Sequence, residues 1–325
     1  MKFILTIDTE ADNQWDHGRD LTTENIQYVP RFQEFCEKYK VKPTYLVTSE
    51  ICEDDFAKEI FTDYVLAERI EIGAHLHSWT TPPFQEKDGY RKNDKNHSFA
   101  NELPEDLLIE KVKILTNQIE SSFGVRPQSF RSGRYGFNKQ VAKILAGNQY
   151  LVDSSVTPFI DWSEHIGLPE GKGGPDFLYH SAYPYRYIFN DNSLLELPVT
   201  ILPTEFPLNM DDKLARYYFR NVDHNVLFKV LRRLYLKHQP LWLRPNLWMN
   251  LDLFTDIINE AERRHLPYIV MMFHSSELMP GCSIYWINRD DVEKLYGLLE
   301  SLFSFLLTRN IESVTLTEAA KNHKQ

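Results

Sequence analysis

The feature that most constrains this chain is a repeated change of period. Short apolar runs alternate with longer stretches whose apolar residues recur at helical spacing. The runs begin with FILTID (Phe3–Asp8) and continue with KPTYLVT (Lys42–Thr48), IEIGAHLH (Ile70–His77) and RPQSFRS (Arg126–Ser132). YLVDSSV (Tyr150–Val156), LLELPVTIL (Leu194–Leu202) and PYIVMMFH (Pro267–His274) follow, and IESVTLTEA (Ile311–Ala319) reads as a last strand and turn. Strands separated by helices predict a parallel sheet covered by helices, an α/β fold. Several runs end in a polar residue: Asp8, His75 and His77, Arg131, Asp153, His274. In a (β/α) barrel the carboxyl ends of all strands meet on one face, where the site lies. Residues far apart in sequence are therefore expected to converge.

The helices carry their own signals. Ile26, Val29, Phe32, Phe35 and Cys36 recur at helical spacing, with Thr23 as a candidate cap. The stretch Leu103–Gly124 has Pro104 near its first turn and Gly124 past its end. Further helices are expected at Asn138–Asn148, Val222–His238, Leu251–His265 and Arg289–Asn310. The loop Thr157–Arg186 is too long to be idle in a compact domain. Its Trp, Tyr and Phe content predicts a packed segment covering the site.

With 325 residues, 42% of them hydrophobic, the chain can build a large core. It reads as one domain over 1–325. The net charge of −10 argues against nucleic acid, which needs clustered Lys and Arg. The densest basic run, KVLRRLYLKH (Lys229–His238), alternates with apolar residues and reads as the solvated face of a helix. Cys36, Cys52 and Cys282 have neither disulfide nor zinc-knuckle spacing. The apolar start is shorter than a signal-peptide core, and no run is long enough to cross a membrane. A reduced, cytoplasmic protein is expected.

The polar strand ends suggest chemistry. Asp8 and Glu10, at i and i+2, share a side of an extended chain, as do His75 and His77. Two imidazoles with one carboxylate leave a metal open positions for water or substrate, which suits catalysis better than structure. Arg131 could hold a carboxylate bidentately. Against this stand ordinary turn carboxylates and a buried, hydrogen-bonded structural His274.

In the motifs TIDTE, EIGAHLHSWTTPPF, SFRSGRYGF, YLVDSSV, LELPVTILP and IVMMFHSSELMPG, taken in order, the chain resembles the polysaccharide deacetylases. These are carbohydrate esterases that remove acetyl groups from sugar polymers. The nearest branch is the one found beside bacterial cell-surface polysaccharide genes. The resemblance runs nearly end to end and implies a distorted, seven-stranded (β/α) barrel. It implies Asp8 as catalytic base, Arg131 as the residue orienting it, and His274 as general acid tuned by Asp153. It implies Glu10 and His75 as metal ligands. The family's second histidine stands four residues after the first, where this chain has Trp79, and the role passes to His77. The metal would be zinc first, with manganese, cobalt or nickel as alternatives. A backbone N–H near Tyr135 would meet the oxyanion. Tyr135, Trp79 and Trp15 are candidates for sugar binding, with Trp162 and Trp248 further aromatics.

Three other classes remain open. A glycosidase would use Asp8 and Glu10 as its carboxylate pair but leaves the histidines idle. A metal-dependent amidase on a small non-sugar amide uses the same residues. A degenerate member would bind an acetylated saccharide without turning it over. The sequence names neither the sugar nor the oligomeric state.

Overall fold

The computed structural model describes residues 1–12, 14, 21–84, 98–168 and 171–323. Trp15, one of the candidate sugar-binding residues, lies outside them. The strands are β1 (Lys2–Thr9), β2 (Pro43–Val47), β3 (Glu71–Leu76), β4 (Ser129–Ser132) and β5 (Val152–Asp153), then β6 (Tyr185–Phe189), β7 (Asn192–Glu196), β8 (Ile201–Leu202), β9 (Leu241–Trp242) and β10 (Tyr268–His274). One sheet runs in the order β10-β1-β2-β3-β4-β5-β7-β6. Its pairings from β10 through β7 are parallel. Among the described residues, seven parallel strands thus form the wall, and β6 joins its edge antiparallel to β7.

The wall curls back on itself. Pro198 cannot donate to a ladder, and LLELPVTIL is interrupted there rather than forming one strand. Beyond the interruption, Thr200 N donates to Val270 O (3.0 Å) and Val270 N to Thr200 Oγ1 (2.8 Å). Leu243, next to β9, donates to Thr200 O at 2.9 Å. The result is a distorted (β/α) barrel whose seam is closed by single residues.

Period two along the strands sets what faces inside. Phe3, Leu5 and Ile7 pack outward under the helices, with Phe32, Phe273 and Phe303. Ile4 packs inward with Leu46, Val152, Leu195 and Val270. Burial on both faces explains why these strands read as continuous apolar runs. Climbing the interior from Ile4 through Thr6 leads to Asp8; climbing from Val270 through Met272 leads to His274. The floor is capped by Leu316, Ala319 and Ala320 of α10 (Leu316–Asn322 in chain order the last helix). The expected last strand is reduced to a bridge between Phe3 and Ser313. Thr315 caps α10 instead, in a capping box with Glu318.

The helices are α1 (Val29–Lys38), α2 (Ser49–Glu53), α3 (Asp55–Leu66), α4 (Glu105–Phe123), α5 (Lys139–Gly147), α6 (Asp212–Asn221), α7 (Val226–Leu234), α8 (Leu251–Arg263) and α9 (Arg289–Thr308). Pro104 is the N-cap of α4, and Gly124 ends it in the left-handed region at φ 68°. Thr23 does not cap: a 3₁₀ turn precedes α1, and the Thr23 hydroxyl donates to Asp54 at 2.6 Å. The helix expected over Val222–His238 is shortened to α7, capped by Asn225, and α6 precedes it without having been expected.

Candidate active site

The carboxyl ends of the strands surround a cavity of about 410 Å³. Asp8, Glu10, His75, His77, Trp79, Tyr135 and His274 all line it. Residues from the two ends of the chain meet there because β1 and β10 are neighbours, with Asp8 and His274 as register partners.

His75 and Arg131 are likewise register partners, on β3 and β4. His75 Nδ1 lies 3.0 Å from the Arg131 carbonyl. A carbonyl can only accept, so this nitrogen carries the proton and a neutral ring presents a lone pair at Nε2. That Nε2 lies 3.0 Å from His77 Nε2 and 3.6 Å from Glu10 Oε2. His77 Nε2 is 3.1 Å from the same Glu10 oxygen. All three side chains are buried.

These distances suit a shared cation. Two donors about 2.0–2.1 Å from one metal stand about 2.9 Å apart at a right angle and about 3.4 Å apart at the tetrahedral angle. Glu10 Oε1 and His77 Nδ1 are also buried with no hydrogen-bond partner, an expensive arrangement for an apo core. Glu10, His75 and His77 therefore form a group that could hold a metal ion.

The electrostatics agree. Burial would raise the Glu10 carboxyl, but the His274 charge and the hydrogen bonds from His75 and His77 hold it far below the usual carboxylate range. Burial would lower His75, yet Asp8 and Glu10 outweigh that and raise it. The pocket favours positive charge between the imidazoles.

His77 is seated by its neighbours. Its ring stacks on Trp79 at 4.3 Å between centroids, and the Trp79 indole donates to Gln14 at 3.4 Å. On the other side lies Gly133, where a Cβ would come within 2.4 Å of His77 Cδ2. The next two residues, Arg134 and Tyr135, hold φ of 53° and 59°, a strained turn for non-glycine residues. The turn carries Tyr135 onto Trp162, with ring centroids 5.5 Å apart. Trp162 and His165, from the long loop after β5, line the cavity.

Asp8 stands beside the donor trio, with Oδ2 4.0 Å from His75 Nε2. Arg131 Nη1 donates to Asp8 Oδ1 at 2.7 Å. Arg131 is fully buried, and its remaining donors reach Ser154 O and Oγ at 2.7 and 3.0 Å. Burial would raise Asp8, but Arg131 first, then His75 and His274, keep it below its ordinary value.

His274 meets Glu277 and Arg244 rather than the Asp153 expected from the sequence. His274 Nδ1 lies 3.1 Å from Glu277 Oε1. That carboxylate also accepts from Arg244 Nη2 (2.9 Å), Trp286 Nε1 (3.0 Å) and the His274 backbone (3.1 Å). Burial opposes its ionisation, but Arg244 and His274 bring it down to about 2. Asp153 instead turns to Ser155, accepting from its N and Oγ at 2.7 and 2.8 Å, and lies beside Glu196. Burial pushes Asp153 up to about 6 and Glu196 well above its usual value. Trp248, another candidate, stacks on His238 at 4.6 Å, away from the cavity lining.

Glu277 was discoverable: it stands three residues after His274, the spacing of a capping box, which it forms. Arg244 and Gln14 also line the cavity, on irregular segments that carry no periodic signal.

No family model matches the chain, and no curated protein matches it. Solved structures do match. The 4-alpha-glucanotransferase from Thermococcus litoralis is 14% identical with a TM-score of 0.52, over 100% of this chain and 40% of that one. A candidate polysaccharide deacetylase from Mycobacterium smegmatis is 16% identical with a TM-score of 0.48, over 97% of this chain and 94% of that one. A family 4 acetyl xylan esterase from Clostridium thermocellum, solved with a cobalt ion, is 13% identical with a TM-score of 0.43, over 98% and 89%. At such identities the likeness is one of fold.

Proposed function

We propose that the chain is a metal-dependent hydrolase that removes acetyl groups, N-acetyl first, from a sugar or polysaccharide, in cell-surface polysaccharide synthesis. The observation that carries this reading is the meeting of three side-chain arrangements in one cavity. The Glu10–His75–His77 donors, Asp8 with Arg131 behind it, and the His274–Glu277 pair meet there. A glycosidase would have no use for the first or the third.

Glu10, His75 and His77 would hold the divalent cation, zinc being favoured by two imidazoles. Such a cation, when bound, polarises the acetyl carbonyl and acidifies water. The protein's own residues do the rest. Asp8, kept ionised by Arg131, takes the proton from the attacking water. Arg131 fixes the carboxylate so that Oδ2, rather than the oxygen it holds at 2.7 Å, faces the donor trio. His274, held by Glu277, gives a proton to the leaving sugar amine as the carbon–nitrogen bond breaks. Acetate and a free amino sugar result. Tyr135 and Trp162 supply an aromatic wall of the kind that sugar rings stack against.

The reading is tested by assaying acetate release from N-acetylated oligosaccharides with metal-loaded protein, before and after chelation. Metal-dependent release supports it. Release of acid from small linear amides but from no acetylated sugar would replace it with the amidase reading. Saccharide binding that survives Asp8→Asn, with no turnover by the parent protein, would replace it with the non-catalytic one.

A further inference from the structure

Outside the cavity lining, α7 presents an exposed amphipathic surface. Phe228 and Leu231 anchor the helix on Tyr218 and Leu236 beneath it, and Phe228 meets Tyr218 at 5.2 Å. No residue of the helix is buried. At about 100° per residue, Val226, Val230, Leu234 and Leu227 fall within one arc of about 100° that adjoins the anchors Leu231 and Phe228 on the same apolar side of the helix. Val226 is 77% exposed, Leu227 63% and Leu234 64%. Lys229 and Arg233 border the arc on its Val226 side, and Tyr235 (70% exposed) and Lys237 follow the helix. The alternating run expected to show water its charged face thus shows water its apolar face as well.

We propose that α7 is a membrane-surface anchor, which lays its apolar arc into the interface of an anionic lipid bilayer. Three features favour that occupant. An apolar strip edged by Lys and Arg is the pattern of interfacial helices, whose cations reach anionic headgroups while the aliphatic residues sink beside the acyl chains. Arg232 is paired with Asp223 at 2.8 Å, but Lys229, Arg233 and Lys237 make no ion pair among the described residues. They form a local positive site on a chain of net charge −10, so an anionic surface would accept this face and repel the rest, orienting the protein. A second copy of the chain is disfavoured, because a twofold contact would bring the same cations of both copies together.

The test uses the full chain and sedimentation with vesicles of phosphatidylcholine alone or mixed with phosphatidylglycerol. Binding to the anionic vesicles should exceed binding to neutral ones and fall as salt rises from 50 to 500 mM, the roughly tenfold range over which charges are screened. Replacing Lys229, Arg233 and Lys237 by Gln should weaken binding about fivefold per residue, roughly a hundredfold in all. Val230→Glu with Leu234→Glu should reduce it at least about tenfold. All these side chains are exposed, so circular dichroism and the melting temperature should stay unchanged. Equal binding to both vesicle types, or no binding, would overturn the proposal, as would binding that both variants leave intact. A dimer by light scattering that Leu234→Glu dissociates would assign the face to a second copy instead.

Discussion

Asp8 and His274 are register partners on adjacent parallel strands, so two groups from opposite ends of the sequence rise side by side from the barrel floor. One is held by Arg131 and the other by Glu277. Each of the two therefore has a buried charged neighbour of its own. The donor trio lies on the Asp8 side, at the ends of β1 and β3.

Asp8→Asn keeps the size of the side chain but removes the carboxylate proposed as the base. Turnover should fall by about two to four orders of magnitude, while the metal content, measured by mass spectrometry, stays at the parent level. The cost to folding should be visible too, since Arg131 would be left as a buried charge without its counter-ion. Parent-like turnover would remove Asp8 from the base role, and loss of metal would move it among the ligands.

Gly133→Ala tests the donor set without altering a donor. The new Cβ would stand 2.4 Å from His77 Cδ2, so the ring must shift off the common centre. Metal affinity should drop about 10- to 100-fold, the range seen when supporting residues of a metal site are lost. His77→Ala should do at least as much. Zinc titration by calorimetry measures both, and an unchanged affinity in His77→Ala would take His77 out of the site.

Glu277→Gln removes the anion beside His274 and leaves the shape. Glu277 meets the His274 ring and accepts from Arg244, so its loss should free the ring proposed to reach the leaving amine and lower turnover by about ten- to a hundredfold. Metal content should not change. Parent-like turnover in this variant would mean that Glu277 does not position His274 for that role.

The Asp153–Glu196 pair makes a prediction about stability rather than rate. Burial raises Asp153 from 3.8 to about 6 and raises Glu196 as well. Folding therefore takes up a proton in this window. The pair's contribution is fully present below the unfolded carboxylate range and is lost as pH rises, through about 6 for Asp153 and above it for Glu196. Glu196→Gln removes the facing carboxyl and should make the protein more stable than the parent at pH 8, by on the order of 1–3 kcal/mol. The gap should close near pH 5. Thermal melts across pH 5 to 8 would show it, and a constant gap would mean that the pair does not share its proton in this way.

Much of the site was legible because strand ends advertise themselves. Asp8, His75, His77, Arg131 and His274 each interrupt an apolar run, and parallel topology brings such interruptions to one face. What the sequence hid is what strand periodicity does not encode. Arg244 belongs to an irregular stretch after β9, where nothing marks it before the seam is folded. Asp153 follows the same strand-end rule yet turns to Ser155 and Glu196, because β5 sits on the far side of the wall from β10. Position in a motif order does not fix a spatial neighbour. The seam itself, through Thr200 and Val270, has no pattern at all. In α7 the period was readable, but which face would dock was not, since Phe228 and Leu231 resemble the apolar residues left outside.

The placement of β1 between β2 and β10 has a consequence for biosynthesis. Of the described strands, β1 is translated first yet is an inner strand of the finished wall, and one of its neighbours, β10, is the last of them to be translated. Until Tyr268–His274 emerges, β1 has an unpaired edge of the kind that recruits other chains. A growing chain can gather Glu10, His75 and His77 early, but His274 and Glu277 arrive last. A product truncated before β10 would carry ligands for a metal without the residue proposed to release the amine.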